Sequence, residues 1–482
     1  MGHSLAERLA ISLMALSLAV GAVLGVATIR SYTNSGSLVS TGAQQGGVQG
    51  AQSAPGEQGA GTTAGGGGGS AAASGGGGST ANVSNSAGAS GISGGGCGKG
   101  GGVIKVGGFF DITGAVDSSV ERDTVRAYLN KVNDSGGVNC RSFQYFWCDS
   151  KYDANAAHAC AEQLIQDQVV AVVGWTAPQG EDGEVADFTQ AGIPMIGGLG
   201  TPAEFRSPIS YPTSVSFTNA GNELAAQARA LGVKRPSIVL ITDIPWVKPV
   251  EAALLKSLKN AGVDYSDVEE AQSTAPNYDQ YVLGAAHGSG HNPTCDGCPA
   301  SDPCKVGEAN CPDNTIAALD PYSYVKLFQA VQRANYYPPK GILASGVDKG
   351  VFQNAYQQTG EMKNLHSLVP FLSPYDHQSN GTVQDYLNTV KKYYPNQVVN
   401  LDIYTQIAWS AAQVFVDAAK RAGSNLTRQS LIGALNQTQN FDTGWSKPLS
   451  YGAGSGHDPN HCFQWMVYSG SWQNVDENWR CV

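Results

Sequence analysis

From Val103 onward the chain alternates short apolar runs with longer stretches whose apolar positions recur every three or four residues. The run VIKVGGFF at 103–110 lies between glycine and aspartate and reads as a buried strand. Residues 118–132 follow as a helix, with Val125, Tyr128, Leu129 and Val132 on one face and Ser118 as its cap. The pattern then predicts strand 143–148, helix 154–166, strand 169–173, helix 181–190, strand 193–196, helix 222–231, strand 237–242 and helix 250–260. Later come strand 315–319, helix 322–335, strand 341–344, helix 351–358 and strand 367–369. Such regular alternation builds parallel sheets covered by helices on both faces. The stretch 103–482 is too long for one typical core and suits two. Its last third differs: a long amphipathic helix at 402–421, a shorter one at 428–435, and a hairpin of 461–468 with 471–481 around Ser469-Gly470.

Two segments precede this body. Residues 9–29 (LAISLMALSLAVGAVLGVATI) carry no charge and are long enough to cross a hydrocarbon core of about 30 Å. They read as an uncleaved signal anchor, or as a signal peptide cut after Gly25-Val26-Ala27. Either reading places Val103 onward outside the cytoplasm. Residues 31–102 are mostly Gly, Ser, Ala, Thr and Gln, a composition that cannot bury enough apolar surface to fold. As a flexible coil this stretch would span roughly 45 Å, a tether or simple spacer.

Charge and cysteine usage narrow the function. A formal net charge of -10 with scattered Lys and Arg argues against nucleic-acid binding, which needs a clustered basic surface. The ten cysteines are even in number and locally grouped, as in an exported chain with disulfides. Cys148 with Cys160 and Cys462 with Cys481 are the local pairs, leaving Cys97 for Cys140. Cys295, Cys298, Cys304 and Cys311 lie in an insert with His287 and His291 nearby; two disulfides or a zinc ion would each suit that spacing. No H-E-x-x-H, P-loop or strand-following G-x-G-x-x-G appears, and Ser455 does not fit G-x-S-x-G. No catalytic residue, metal site or cofactor is therefore expected.

The order of several short motifs resembles the type I periplasmic binding proteins of the Leu/Ile/Val-binding class. Ile104-Lys105-Val106-Gly107 leading to Ile112-Thr113-Gly114 is similar to that family's first strand and loop. Asn130-Lys131-Val132-Asn133 with Gly136-Gly137-Val138 resembles its first helix exit, and Asp149, Asp153 and Ala156 its second helix start. AEQLIQDQVVAVVG at 161–174 and Gly192-Ile193-Pro194-Met195-Ile196 look like its next strands. The resemblance covers essentially 103–482. It implies an α/β fold of two Rossmann-like lobes with parallel sheets, joined by a hinge of three chain crossings. Lobe one would be about 103–217 and 373–449; lobe two would be about 218–372 and 450–482.

Ligands of open parallel sheets sit beyond the carboxyl ends of the strands. The resemblance puts Trp175, Thr176 and the N–H of Ala177 against a ligand carboxylate, with Gly198 and Leu199 as the second loop. It adds Ser118 and Ser119 at the first helix, and Trp246, Val347 and Phe371 from the other side. Each has an ordinary structural reading: a βα turn, a packed aromatic, a helix cap. One departure matters. No acidic residue in lobe two clearly matches the one this class sets against an amino-acid ammonium; Asp243 and Asp348 are near in sequence only. The implied function is an extracytoplasmic solute-binding protein, capturing a branched-chain amino acid, amide or related acid for an ABC permease. A ligand-sensing surface receptor acting through a partner protein is the alternative.

Overall fold

The computed structural model describes residues 102–287, 311–350, 362–454 and 456–482, all within one compact unit. The apolar span at 9–29, the Gly/Ser-rich segment, the expected helix at 351–358, and Cys97, Cys295, Cys298 and Cys304 lie outside the described residues.

The first half follows the apolar pattern closely. Strand β1 (Val103–Phe110), helix α1 (Ser119–Asp134), β2 (Ser142–Asp149), α2 (Ala154–Gln166), β3 (Val172–Val173), α3 (Glu181–Gln190), β4 (Met195–Ile196) and β5 (Ser210–Tyr211) succeed one another. The five strands form one parallel sheet in the order β2-β1-β3-β4-β5. Its side chains alternate between faces: Val172 packs with Leu164 and Phe188, while the neighbouring Val173 packs with Val125 and Phe415. β3 is shorter than the run 169–173, because Gln168 takes a left-handed turn (φ 58) and the ladder proper begins only at Val172.

The second half begins with α4 (Phe217–Ala230), β6 (Pro236–Ile241), α5 (Val247–Asn260), β7 (Asp267–Ala271) and α6 (Asp279–His287). β8 (Asn314–Ala318), α7 (Pro321–Ala334), β9 (Ile342–Ser345) and β10 (Leu365–Val369) follow. The chain then forms α8 (Gly381–Tyr393), α9 (Ile403–Ala422) and α10 (Arg428–Asn436) before β11 (Cys462–Tyr468) and β12 (Trp472–Cys481). The second sheet runs β12-β11-β10-β9-β8-β6-β7; it is parallel except for the two antiparallel strands β11 and β12. Ile238 and Leu240 face α4 and α5, whereas Val239 and Ile241 face α6 and α7.

The chain passes between the two layers three times, after Tyr211, after Val369 and after Leu449. The middle passage sends α9 back over the first sheet, where Ala411, Ala412 and Phe415 share a core with Val106 and Ile196.

Caps explain where helices start. Asp153, Ser216, Asp320 and Asn380 accept backbone N–H groups of the first turns of α2, α4, α7 and α8. Ser216 starts α4 five residues before the 222 predicted from periodicity alone. Asp402 and Thr427 form reciprocal capping boxes on α9 and α10. Ser118 departs from the role expected of it. Its hydroxyl makes no cap; Asp117 Oδ1 takes the N–H of Ser119 at 2.9 Å instead.

Cys148–Cys160 and Cys462–Cys481 are disulfides, each as paired from the sequence. Cys140 and Cys311 are disulfide-bonded too, so Cys311 is not a free thiolate for zinc.

Candidate ligand-binding site

Three neighbouring strands, β1, β3 and β4, end together at the edge of the first sheet. The residues at and just beyond these strand ends line one small cleft, part of it open to solvent. Phe110 closes β1; Gly174, Trp175 and Thr176 extend from β3; Gly198 and Leu199 extend from β4. Across from them stand Glu121 of α1 and Tyr404, Ile407 and Ala408 of α9.

Glycine at two positions makes this convergence possible. Gly174 sits at φ 67, and a Cβ there would lie 2.8 Å from Val125 of α1. Gly198 sits at φ 107, and a Cβ there would run into Glu204 and come within 2.7 Å of the Trp175 ring.

Thr176 is held by its own backbone. Its N–H donates to Phe109 O at 3.1 Å and its carbonyl accepts from Asp111 N at 2.9 Å, so it extends the pairing with β1. Trp175 stacks on Phe109 and donates its indole N–H to Glu181 Oε1 at 2.9 Å. Beside it, the Glu204 carboxylate accepts from the N–H groups of Leu199, Gly200 and Thr201 at 3.0, 3.1 and 3.2 Å. Burial, then the charge of Glu204, pushes the Glu181 carboxyl well above its usual range; burial raises Glu204 as well. A close pair of buried carboxyls cannot both ionise.

Of the residues expected from the sequence, Trp175, Thr176, Gly198 and Leu199 line the cleft. Ser119 is the first residue of α1, and Ser118 beside it is buried with its Oγ unpartnered. Ala177 is packed into the core under α2 and α3. Val347 is fully buried in the core of the second sheet, and Phe371 lies in an aromatic cluster with Trp445 and Tyr386. Trp246 stacks on Phe217 at 4.9 Å and donates to Pro178 O at 2.8 Å. These last three lie outside the cleft wall. Asp243 is engaged by Ser273, whose N–H and hydroxyl both donate to it.

Glu121, Tyr404 and Asp402 were not foreseen. Glu121 is 6% exposed; burial, then the nearby Asp402, holds its carboxyl well above the usual range. Asp402 caps α9 and is pushed up by burial to about 6. Burial likewise raises the Tyr404 hydroxyl, which faces Gly346 beyond β9. The two layers are joined by hydrogen bonds: besides Trp246, Gln179 donates to Asp243 O at 3.2 Å and Tyr322 donates to Asp117 O at 3.3 Å.

The cleft therefore offers hydroxyls, carboxyls and aromatic faces, and no Lys, Arg or His lines it among the described residues. No curated protein matches the chain. Its fold is shared with solved structures. One is described as a branched-chain amino acid ABC transporter from Thermus thermophilus with bound valine (TM-score 0.64, 12% identity, 78% of this chain and 96% of that chain). Another is a fatty acid ABC transporter substrate-binding protein from Thermomonospora curvata (TM-score 0.64, 15% identity, 79% and 93%). A third is a solute-binding protein from R. palustris in complex with benzoate (TM-score 0.63, 16% identity, 77% and 95%). The family described as periplasmic binding protein matches residues 103–471, and the chain belongs to that family.

Proposed function

We propose that this chain captures a small solute outside the cytoplasm and hands it to an ABC permease. The observations that carry this reading are the cleft beyond β1, β3 and β4 and the cross-layer hydrogen bonds of Trp246, Gln179 and Tyr322. Residues 103–217 with 373–449 form lobe one, and 218–372 with 450–482 form lobe two. The residues at 9–29 hold the protein at the membrane and 31–102 tether it. Trp175, Thr176, Gly198 and Leu199 provide lobe one's contacts, with Ser118, Ser119 and Ala177 supporting them. Trp246 acts as a latch between lobes, and Val347 and Phe371 support the cleft from behind.

In mechanism, solute first settles against the strand ends of lobe one. Closure of lobe two then adds contacts that only the shut form makes, and the bound solute shifts the population toward that form. The permease reads the shut form. A thermal-shift screen over amino acids, amides, organic acids and amines tests the reading, with small-angle scattering on each hit. A true solute at 100 times its Kd stabilises the fold by about 2.7 kcal/mol and compacts the particle. No stabilisation and no change of shape with any solute sinks the proposal.

A further inference from the structure

The cleft presents acid where a carboxylate-binding site would present donors. Glu121 is buried, lines the cleft, and leaves its Oε2 without a hydrogen-bond partner. A buried acceptor in that condition carries a desolvation cost that a donor from a guest would relieve. The amides best placed to grip an anion, those of Leu199, Gly200 and Thr201, are already taken by Glu204. The remaining walls are aromatic or aliphatic: Phe110, Trp175, Tyr404 and Ile407. Aromatic faces attract organic cations.

We propose that the cleft takes a small, singly charged organic amine with an apolar body and no carboxylate, its ammonium held by Glu121. This rests on reading the chain as a solute-binding protein. The groups that face Glu121 are Asp111 at the end of β1, Asp117 before α1, Tyr322 of α7, and Asp402 and Tyr404 of α9. All of them are neutral or negative, so a cation is the complement. Burial, then Asp402, Asp117 and Asp111, push the Glu121 carboxyl well above its usual range. Capture of an ammonium by the protonated carboxyl draws its proton off: the O–H bond breaks, the proton goes to buffer, and the carboxylate accepts from the ammonium, which keeps its own protons.

Titration calorimetry of the full-length chain tests this with four probes on one carbon skeleton: isopentylamine, isopentanol, isovalerate and leucine. Isopentylamine binds at least tenfold more tightly than isovalerate or leucine. Its heat differs between buffers of low and high ionisation enthalpy by the amount that proton release requires. Glu121→Gln weakens the amine at least tenfold and removes the buffer dependence; an intact unfolding transition shows that the variant folds. Isovalerate or leucine binding as well as the amine overturns the inference and leaves solute binding standing. Amine binding unaltered in Glu121→Gln overturns it as well. Silence from all four probes and from the wider solute screen overturns both readings.

Discussion

The indole N–H of Trp246 donates to the carbonyl of Pro178 across 2.8 Å, planting a side chain at the head of α5 on the loop that leads from Thr176 to α3. Because Trp246 also stacks on Phe217, at the start of α4, this bond connects the first chain crossing directly to the strand-end loop. Replacing Trp246 by Phe keeps a ring for the stack and removes the donor. One neutral hydrogen bond is worth about 1 kcal/mol, so solute affinity falls about fivefold. Scattering of the empty variant shows a larger radius of gyration than that of the parent.

Stability depends on pH in a direction set by the buried acids. Burial lifts Asp111 and Asp402 to about 6 from an ordinary 3.8. The folded chain therefore keeps protons that the unfolded chain has released, and stability falls as pH rises from about 4; it goes on falling above 6, because burial lifts Glu184 to about 7 and Glu269 to about 8. Each group contributes about 2–3 kcal/mol to the fall. Denaturant midpoints at pH 4.5, 5.5 and 7 measure it. Asp402→Asn, which retains the helix cap, makes the fall between pH 4 and 6 shallower. Asp134 and Asp149, held below their usual range, act only at lower pH.

Gly198→Ala pushes a methyl group into Glu204 and the Trp175 ring at a φ of 107. The strain costs about 1–3 kcal/mol and turns Trp175 out of its place. The variant shows a lowered melting point, a changed tryptophan emission and no solute binding.

The Cys462–Cys481 bridge spans 19 positions and joins directly opposed residues of β11 and β12. Loss of both thiols by substitution with Ala costs about 3 kcal/mol in equilibrium unfolding. Solute affinity stays within twofold, since neither strand reaches the cleft wall.

Periodicity and capping carried much of the fold. Residues 154–166 and 181–190 were bounded to the residue, because Asp153 and the GWTAPQG turn mark their starts. α8 was missed although Asn380 caps it and Val383, Tyr386 and Val390 recur at helical spacing, so the signal was present. β7 (DVEEA) was missed for a physical reason: it is the edge strand of its sheet, and two acids in its centre hide any apolar alternation. In the site, the glycine-rich turns after β3 and β4 announced themselves. Glu121 and Tyr404 could not, because they are 283 positions apart in sequence and meet only through the packing of α1 on α9.

That return of α9 has a bearing on how the polypeptide is made. Val106 and Phe415 belong to one apolar cluster, so a nascent chain that has emerged only as far as Tyr211 holds strands with half their cover missing. Neither half can mature as a contiguous fragment. Synthesis must run nearly to completion before the first sheet closes on both faces.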